Sequence, residues 1–495
     1  MTVYHINKGI GRASSGIEYA QAYRNRLLAG TLEQAYLFLD YLSTNVCEFT
    51  HKLGFTNEEV LWIYGYLAGQ KTVPSSYPLS TFEAMLDETY SKEEKETYLL
   101  YKSPTNTLSY RVWVLNETIV DRVDELVNNQ VVRVHHYSDR LTNSEHYSKG
   151  TLLSRVFYTP EGKVAYRQYY TNREITLTTI NGKLLYGRNA FYQEFFHQLQ
   201  WTSKDVVVLD RNLNIADAVF PQLHQAKVIV VVHAEHFNEA RSLPHRTAWN
   251  NYYEYVFTNA EHIDQFVVST QKQAEVLREQ FAAMNKKNTH ITVIPVGYIE
   301  RLPGVEAPKR TEQCQLMTAS RIADEKHIDT LIHAVVEAKK QVPNLKFFIY
   351  GEGKKKQPLQ ELVKELEAES YIEFMGHRNL EEEYPKHDGY LSGSTSEGFG
   401  LTILEALSYG LPIVGLDVPY GNQEMVVSGT NGFLVAPGTQ ADNAKRLAQG
   451  ICSLFSPTFD EKKSREYAQQ KAKDYLADVV KNQWLSLLST EEESH

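Results

Sequence analysis

The sequence predicts an α/β chain of two facing doubly wound domains, with an antiparallel β-meander inserted in the first. Three observations predict it. Short apolar runs, Val/Ile-rich before residue 300, alternate with helical stretches on both sides of it, as parallel strands covered on both faces do. Between about Thr97 and Arg188 that rhythm stops, and Tyr, Val, Thr and Arg alternate in type instead, the pattern of half-buried antiparallel strands. Beyond Arg188 the β/α series resumes, so the meander is an insertion.

The opening joins a β-type run, Val3 to Ile6, to the loop GIGRASSG and a helical stretch bearing Ile17, Ala20, Tyr23 and Leu27. In the insertion, Pro160-Glu161-Gly162 and Asn181-Gly182 mark tight turns, the second being a strong hairpin signal. Parallel strands are expected in DVVVLD (205–210), KVIVVVHAEH (227–236), YVFTNAEHIDQFVVST (255–270) and HITVIPVG (290–297). A linker over about Tyr298 to Arg310 precedes a second series: LMTASR, LKFFIYGEG, YIEFMGH, GYLSGSTSEGFG, LPIVGLD and NGFLVA. The stretch Asp460 to Leu488 is charged and helical, with Trp484 and Leu487 on an apolar stripe. The expected division is 1–74 with 189–300 as the first domain, completed by a C-terminal helix at about 480–495. The insertion spans 75–188 and the second domain 301–479.

Composition narrows the function classes. Apolar residues at 42% and charged residues at 23% suit sizeable cores rather than a disordered chain. The charge sum, 51 − 61 = −10, implies no general attraction to nucleic acid or anionic lipid but leaves room for local basic pockets. Cys47, Cys314 and Cys452 are too few and scattered for a disulfide framework or metal cage. No apolar run is long enough for a transmembrane helix, and MTVYHINKGIGR lacks the apolar core of an export signal. A soluble protein of a reducing compartment is expected.

The informative segment is STSEGFGLTILEALSYG, from Ser394 to Gly410. A strand ends, a Gly-rich turn follows and a helix starts near Leu401. Free N–H groups of Gly398, Phe399 and Gly400 then lie at a helix N-terminus, where the dipole favours an anion. Glu397 and Glu405 flank that turn, and Glu405 can reach a diol such as a ribose. Such turns are weak evidence alone, but this one follows a strand's carboxyl end, where open α/β sheets bind ligands. In ASRIADEKH, Arg321 and Lys326 present two cations at another strand end, suited to a diphosphate. Alone they read as a surface ion pair; beside the Glu397 segment they read as a site. In the opening loop, Ser14 and Ser15 can cap the following helix, and the N–H groups of Gly16 and Ile17 could meet a phosphate. Its spacing is not the dinucleotide fingerprint, which disfavours a nicotinamide enzyme. His233, just past a buried strand, could hydrogen-bond a sugar, with His236 close by. Gly376 and His377 end a further strand, where backbone could read a base edge. There is no His-Glu-x-x-His, no Cys pair and no Asp-x-Asp in these loops, so no metal is expected.

Together, ASRIADEKH and EGFGLTILE resemble the retaining GT-B glycosyltransferases. The opening GIGRASSGIEYAQAYR, the VVHAEH strand, WNNYYEYVFTNA, STSEGFGLT and VPYGNQ are similar to the catalytic A subunit of the accessory-Sec serine-rich-adhesin glycosyltransferases of Gram-positive bacteria. The resemblance runs essentially end to end. It implies transfer of N-acetylglucosamine from UDP-N-acetylglucosamine to serine and threonine hydroxyls of a serine-rich repeat adhesin, in the cytoplasm before export. It implies a homologous, non-catalytic chaperone subunit as partner, and at most peripheral contact with the membrane. By the same resemblance Gly16, Ile17, Glu18 and Tyr19 face the UDP, and His233 contacts the sugar. Arg321 and Lys326 neutralise the diphosphate, His377 and Arg378 line the uridine side, and Glu397, Gly398, Phe399 and Gly400 grip the sugar. Glu405 binds the ribose.

Two alternatives share the fold: a poly(glycerol-phosphate) α-glucosyltransferase using UDP-glucose, and the non-catalytic chaperone subunit. The joint presence of Arg321, Lys326, Glu397 and Glu405 disfavours the chaperone. A carbohydrate-binding module without turnover leaves the phosphate-facing loops unexplained.

Overall fold

In the computed structural model, the apolar runs become parallel strands because nearly every side chain on them is buried: Val206 to Leu209, Ile229, Val230 and Val232 are fully covered, and Val228 and Val231 almost so. A seven-stranded sheet has the order Ile291–Val293, Gln265–Val268, Lys227–Val232, Val206–Leu209, Thr2–Asn7, Glu33–Phe38, Val60–Trp62. The first strand of the chain is therefore internal, with Ile6 in register with Leu209 on one side and Leu37 on the other. Strand order reverses about this position, the place where doubly wound sheets accept ligands. The structure describes residues 1–11, 15–42, 45–243, 246–286, 289–304 and 314–489. Ser14, residues 305–310 of the expected linker and residues 490–495 of the expected C-terminal helix lie outside them.

The insertion is an antiparallel meander of ten strands, from Ser91–Glu94 to Lys183–Tyr186, paired in strict chain order. Asn181 and Gly182 both take positive φ, 48° and 76°, the two-residue turn whose twist matches the flanking strands. The sheet is joined to the first parallel sheet by aromatic packing. Phe157 stacks on Tyr166 at 4.4 Å and lies 5.5 Å from Tyr64, while the Tyr166 hydroxyl donates to the Tyr64 carbonyl. Beside them the Arg155 guanidinium lies 3.4 Å over the Tyr41 ring and 2.8 Å from Glu145.

A second parallel sheet of six strands has the order Ile372–Gly376, Leu345–Tyr350, Cys314–Ala319, Gly389–Ser392, Ile413–Leu416, Gly432–Val435. The helices Ile328–Lys339 and Gln440–Leu454 cover one core, through Leu331, Val335, Leu447 and Ile451. The helix Leu401–Ser408 covers another with Ile403, Leu404 and Leu407. The charged C-terminal stretch forms two helices, Glu461–Ala472 and Ala477–Leu488, and Trp484 is buried. By compactness the chain divides into residues 1–231 with 251–264, and residues 232–250 with 265–489 of the described chain.

One element departs from expectation. The segment from Tyr255 to Thr270 is not strand throughout: Glu254–Thr258 is a helix, and the strand is confined to Gln265–Val268. Its β-branched and aromatic residues suggest a strand, but Val256 and Phe257, adjacent in sequence, are both fully buried. Asn259 closes the helix, its amide donating to the Tyr255 carbonyl at 2.8 Å. The cysteines are free, with Cys47 buried and the other two half-buried. Among the described residues no helix is long and apolar enough to cross a membrane.

Candidate functional site

Cys314–Ala319 and Gly389–Ser392 are adjacent parallel strands, with Leu316 opposite Gly389. The loops leaving their carboxyl ends therefore emerge side by side, which brings Lys326 and Glu397 together. Lys326 Nζ donates to Glu397 Oε2 at 2.6 Å and to Ser394 Oγ at 3.3 Å, with both charged side chains largely covered. The neighbouring His327 takes a left-handed φ of 45° and bonds Thr395 Oγ1 through Nε2 at 3.1 Å. This approach needs Gly393, where a Cβ would lie 2.8 Å from the Lys326 carbonyl oxygen and 2.9 Å from that of His327. Arg321 is different: its side chain is 73% exposed and pairs with Glu325 at 2.8 Å.

The Gly-rich turn opens the helix Leu401–Ser408 as expected. Gly400 caps it at φ 87°, and Phe399 is buried against Tyr475. Gly398 runs against the backbone of His233, whose carbonyl oxygen would stand 2.6 Å from a Cβ there. His233 is thus brought to the turn bearing Glu397, and Glu235 accepts a hydrogen bond from Ser396 at 3.2 Å. His236, the rival histidine, is fully buried and bonded to Gln280; burial pushes its ring down to about 4, which keeps it neutral at pH 7.

Three further tyrosines brace these loops, and the sequence reading missed all of them. The Tyr390 hydroxyl donates to the Ala319 carbonyl at 3.0 Å and lies 2.8 Å from Thr402 Oγ1, tying the strand end before Arg321 to the first turn of the helix. Tyr420, buried, holds φ 63° and ψ −75°, a strained conformation for a non-glycine residue. The following Gly421 N–H donates to the Glu397 carbonyl at 3.3 Å. The Tyr384 hydroxyl donates to Glu405 Oε2 at 2.7 Å. Burial raises the Glu405 carboxyl above its ordinary range; the Tyr384 hydrogen bond partly offsets this, and the charge of Glu381 adds to it. These partners are distant in sequence and share no period, so only tyrosine at or near a strand end hints at them.

The remaining expected residues divide. His377 and Arg378 are exposed on the loop after Ile372–Gly376, and Arg378 Nε donates to the Met375 carbonyl at 3.2 Å. Gly16, Ile17, Glu18 and Tyr19 form the first turn of the helix Gly16–Leu28, capped by Ser15. The Ile17 N–H is engaged by Ser15 Oγ, and Glu18 is buried, accepting from Asn7 and pairing with Arg211 at 3.0 Å. Burial opposes ionisation of Glu18, but hydrogen bonds from Ser15 and Asn7 outweigh it and hold the carboxyl below its usual range. Tyr19 is exposed. Among the described residues no cluster of three or more His, Cys, Asp or Glu could hold a metal ion.

Comparison with known proteins matches the family model "Glycosyl transferases group 1" to residues 305–474, and "GtfA extended beta-sheet domain" to residues 89–178, within the meander. The chain is 38% identical over 498 residues to the UDP-N-acetylglucosamine–peptide N-acetylglucosaminyltransferase GtfA subunit of Streptococcus parasanguinis, covering 98% of each. It is similar to the crystal structure of the pneumococcal O-GlcNAc transferase GtfA in complex with UDP and GlcNAc, at TM-score 0.89 and 35% identity over 99% of this chain and 98% of that one. The crystal structure of a GtfA/B complex superposes at TM-score 0.93 and 35% identity, covering 99% of each chain. Two doubly wound parallel sheets with an antiparallel insertion and this end-to-end similarity agree: the chain belongs to the family of GtfA subunits of UDP-N-acetylglucosamine–peptide N-acetylglucosaminyltransferases.

Proposed function

We propose that the protein is a retaining glycosyltransferase that moves N-acetylglucosamine from UDP-N-acetylglucosamine to serine and threonine hydroxyls of a serine-rich repeat adhesin. The adhesin, its modification in the cytoplasm before accessory-Sec export, and a peripheral position at the membrane rest on the sequence resemblance. The observation that carries the enzymatic reading is the Lys326–Glu397 pair at the N-terminal end of Leu401–Ser408, with the glycine turn pressed against His233. Breaking the anomeric C–O bond leaves negative charge on the departing UDP. Lys326, Arg321 and the free N–H groups of the helix offset that charge as it develops. Glu397 and His233 hold the sugar, and Glu405 holds the ribose. His377 and Arg378 line the uridine side, and the first turn from Gly16 to Tyr19 adds contacts to UDP. The acceptor proton passes to the leaving phosphate on the face of attack, so the new bond keeps the α configuration.

The meander, residues 75–188, is the proposed docking surface for a homologous non-catalytic partner and for the extended acceptor; the similar GtfA/B complex supports the existence of a partner subunit. The test is UDP release from UDP-N-acetylglucosamine and from UDP-glucose, with a serine-rich peptide or poly(glycerol phosphate) as acceptor. Peptide-dependent release from UDP-N-acetylglucosamine is expected. Release that needs UDP-glucose and the polyol phosphate would overturn the proposal in favour of a teichoic-acid-type enzyme, and no release with any pair would favour the chaperone.

A further inference from the structure

Glu405 has an unusual supporting shell for a carboxylate assigned to a ribose. It sits half-buried on the helix Leu401–Ser408, and among the described residues its one side-chain hydrogen-bond donor is Tyr384. That tyrosine is 1% exposed, so its ring has no room to swing. It stacks on Tyr409 at 5.2 Å and 24°, and its hydroxyl lies 3.4 Å from the Thr402 carbonyl, on the same helix as Glu405. A phenol fixed this way takes Oε2 of the carboxylate and leaves Oε1 to other donors. Tyr384 also opens the short turn Tyr384–Lys386 that follows the helix Leu380–Glu383, whose Asn379 cap directly succeeds His377 and Arg378.

We propose that Tyr384 is a positioning residue for nucleotide recognition: its hydroxyl sets the rotamer of Glu405 so that the carboxylate meets the 2′- and 3′-hydroxyls of the donor's ribose. The inference rests on the reading of Glu405 as the ribose-binding residue. A glutamate has three side-chain torsions, and a buried carboxylate without a donor is costly. The Tyr384 hydrogen bond removes that cost in one orientation only. The same residue links the loop on the uridine side to the residue that holds the sugar next to the base.

The test compares binding of UDP and of 2′,3′-dideoxy-UDP by calorimetry, because a purely structural tyrosine would alter both alike. The unsubstituted protein should bind UDP more tightly. In Tyr384→Phe that preference should fall about tenfold, the size of effect expected for one hydrogen bond to a charged group, while affinity for the dideoxy nucleotide changes little and the melting temperature falls, because Glu405 then lacks its donor. In Glu405→Gln the preference should fall at least as far. A Tyr384→Phe protein that keeps the full preference, or weakens both nucleotides equally, overturns the positioning role. Equal binding of both nucleotides by the unsubstituted protein instead removes the ribose reading of Glu405 itself. If Tyr384→Phe does not fold, difluorotyrosine in place of Tyr384 preserves the packing and strengthens the donor. The preference should then rise, and an unchanged preference overturns the proposal.

Discussion

Lys326 Nζ stands 2.6 Å from Glu397 Oε2, 71 positions away along the chain, and the two side chains are 24% and 18% exposed. A cation and an anion of this kind, largely removed from water at adjacent strand ends, depend on each other. Removing one leaves the other partly buried without its counter-charge.

Lys326→Ala is therefore expected to lower transfer by about 10²–10³-fold, the usual effect of deleting one preorganised charge at a reacting centre. Arg321, 73% exposed and paired with Glu325, should matter less, with about a tenfold loss or more in Arg321→Ala. Both are read by UDP release at saturating donor, alongside far-UV circular dichroism. Near-normal turnover in Lys326→Ala would remove it from the diphosphate site.

Gly398→Ala places a methyl group 2.6 Å from the His233 carbonyl oxygen. The turn bearing Glu397 must then shift, and a displacement of this size near the chemistry costs on the order of 10²-fold. Turnover should drop while the melting temperature moves by only a few degrees. Full activity would mean that the close approach of the turn to His233 is not needed for transfer.

Activity is expected to survive EDTA, because Lys326, Arg321 and the start of the helix Leu401–Ser408 supply the charge that a divalent ion would otherwise provide. Loss of turnover on chelation, restored by Mg²⁺ or Mn²⁺, would contradict this.

The meander carries a pH-dependent contribution to stability. Burial opposes ionisation of Glu145, but it is outweighed by His136, Arg155 and the Tyr147 hydroxyl, and the carboxyl is held at about 2. A folded-state value below the unfolded one means that the stabilisation is fully present above about pH 4.5 and is lost as pH falls through about 2. The shift corresponds to roughly 3 kcal/mol. Denaturant unfolding at pH 7 and pH 3 should show a smaller decline for Glu145→Gln than for the unsubstituted protein. Equal declines would place the acid sensitivity elsewhere.

Partner docking is best tested by surface substitution, since deleting the insertion would strip the packing of Phe157 and Tyr166 from Tyr64. Tyr169, Leu177 and Tyr186 lie in register across three neighbouring strands, with Tyr169 and Tyr186 exposed and Leu184 exposed nearby. Exposed tyrosine in such a row is the residue type that anchors protein interfaces. Changing Tyr169, Leu184 and Tyr186 together to Ser should abolish co-purification of the partner and glycosylation of the adhesin, while UDP binding by calorimetry is retained. Normal pairing and glycosylation would remove this face from the interface.

What the sequence determined by itself is what local pattern encodes. Continuous Val/Ile runs specify buried parallel strands, residue-by-residue alternation with Asn181-Gly182 specifies the meander, and a Gly-rich turn before Leu401 specifies a helix start. Each depends on neighbours a few positions away, so each is legible without a fold. The tertiary structure alone decided which charges meet. Lys326 is paired with Glu397 because two strands far apart in sequence are adjacent in the sheet, and Glu405 is held by Tyr384 because two unrelated helical segments pack side by side. It also decided that Glu254–Thr258 is a helix despite its strand-like composition, with Val256 and Phe257 both fully buried. Packing between distant segments outweighs local preference there, and a sequence read by its own periodicity carries no record of it.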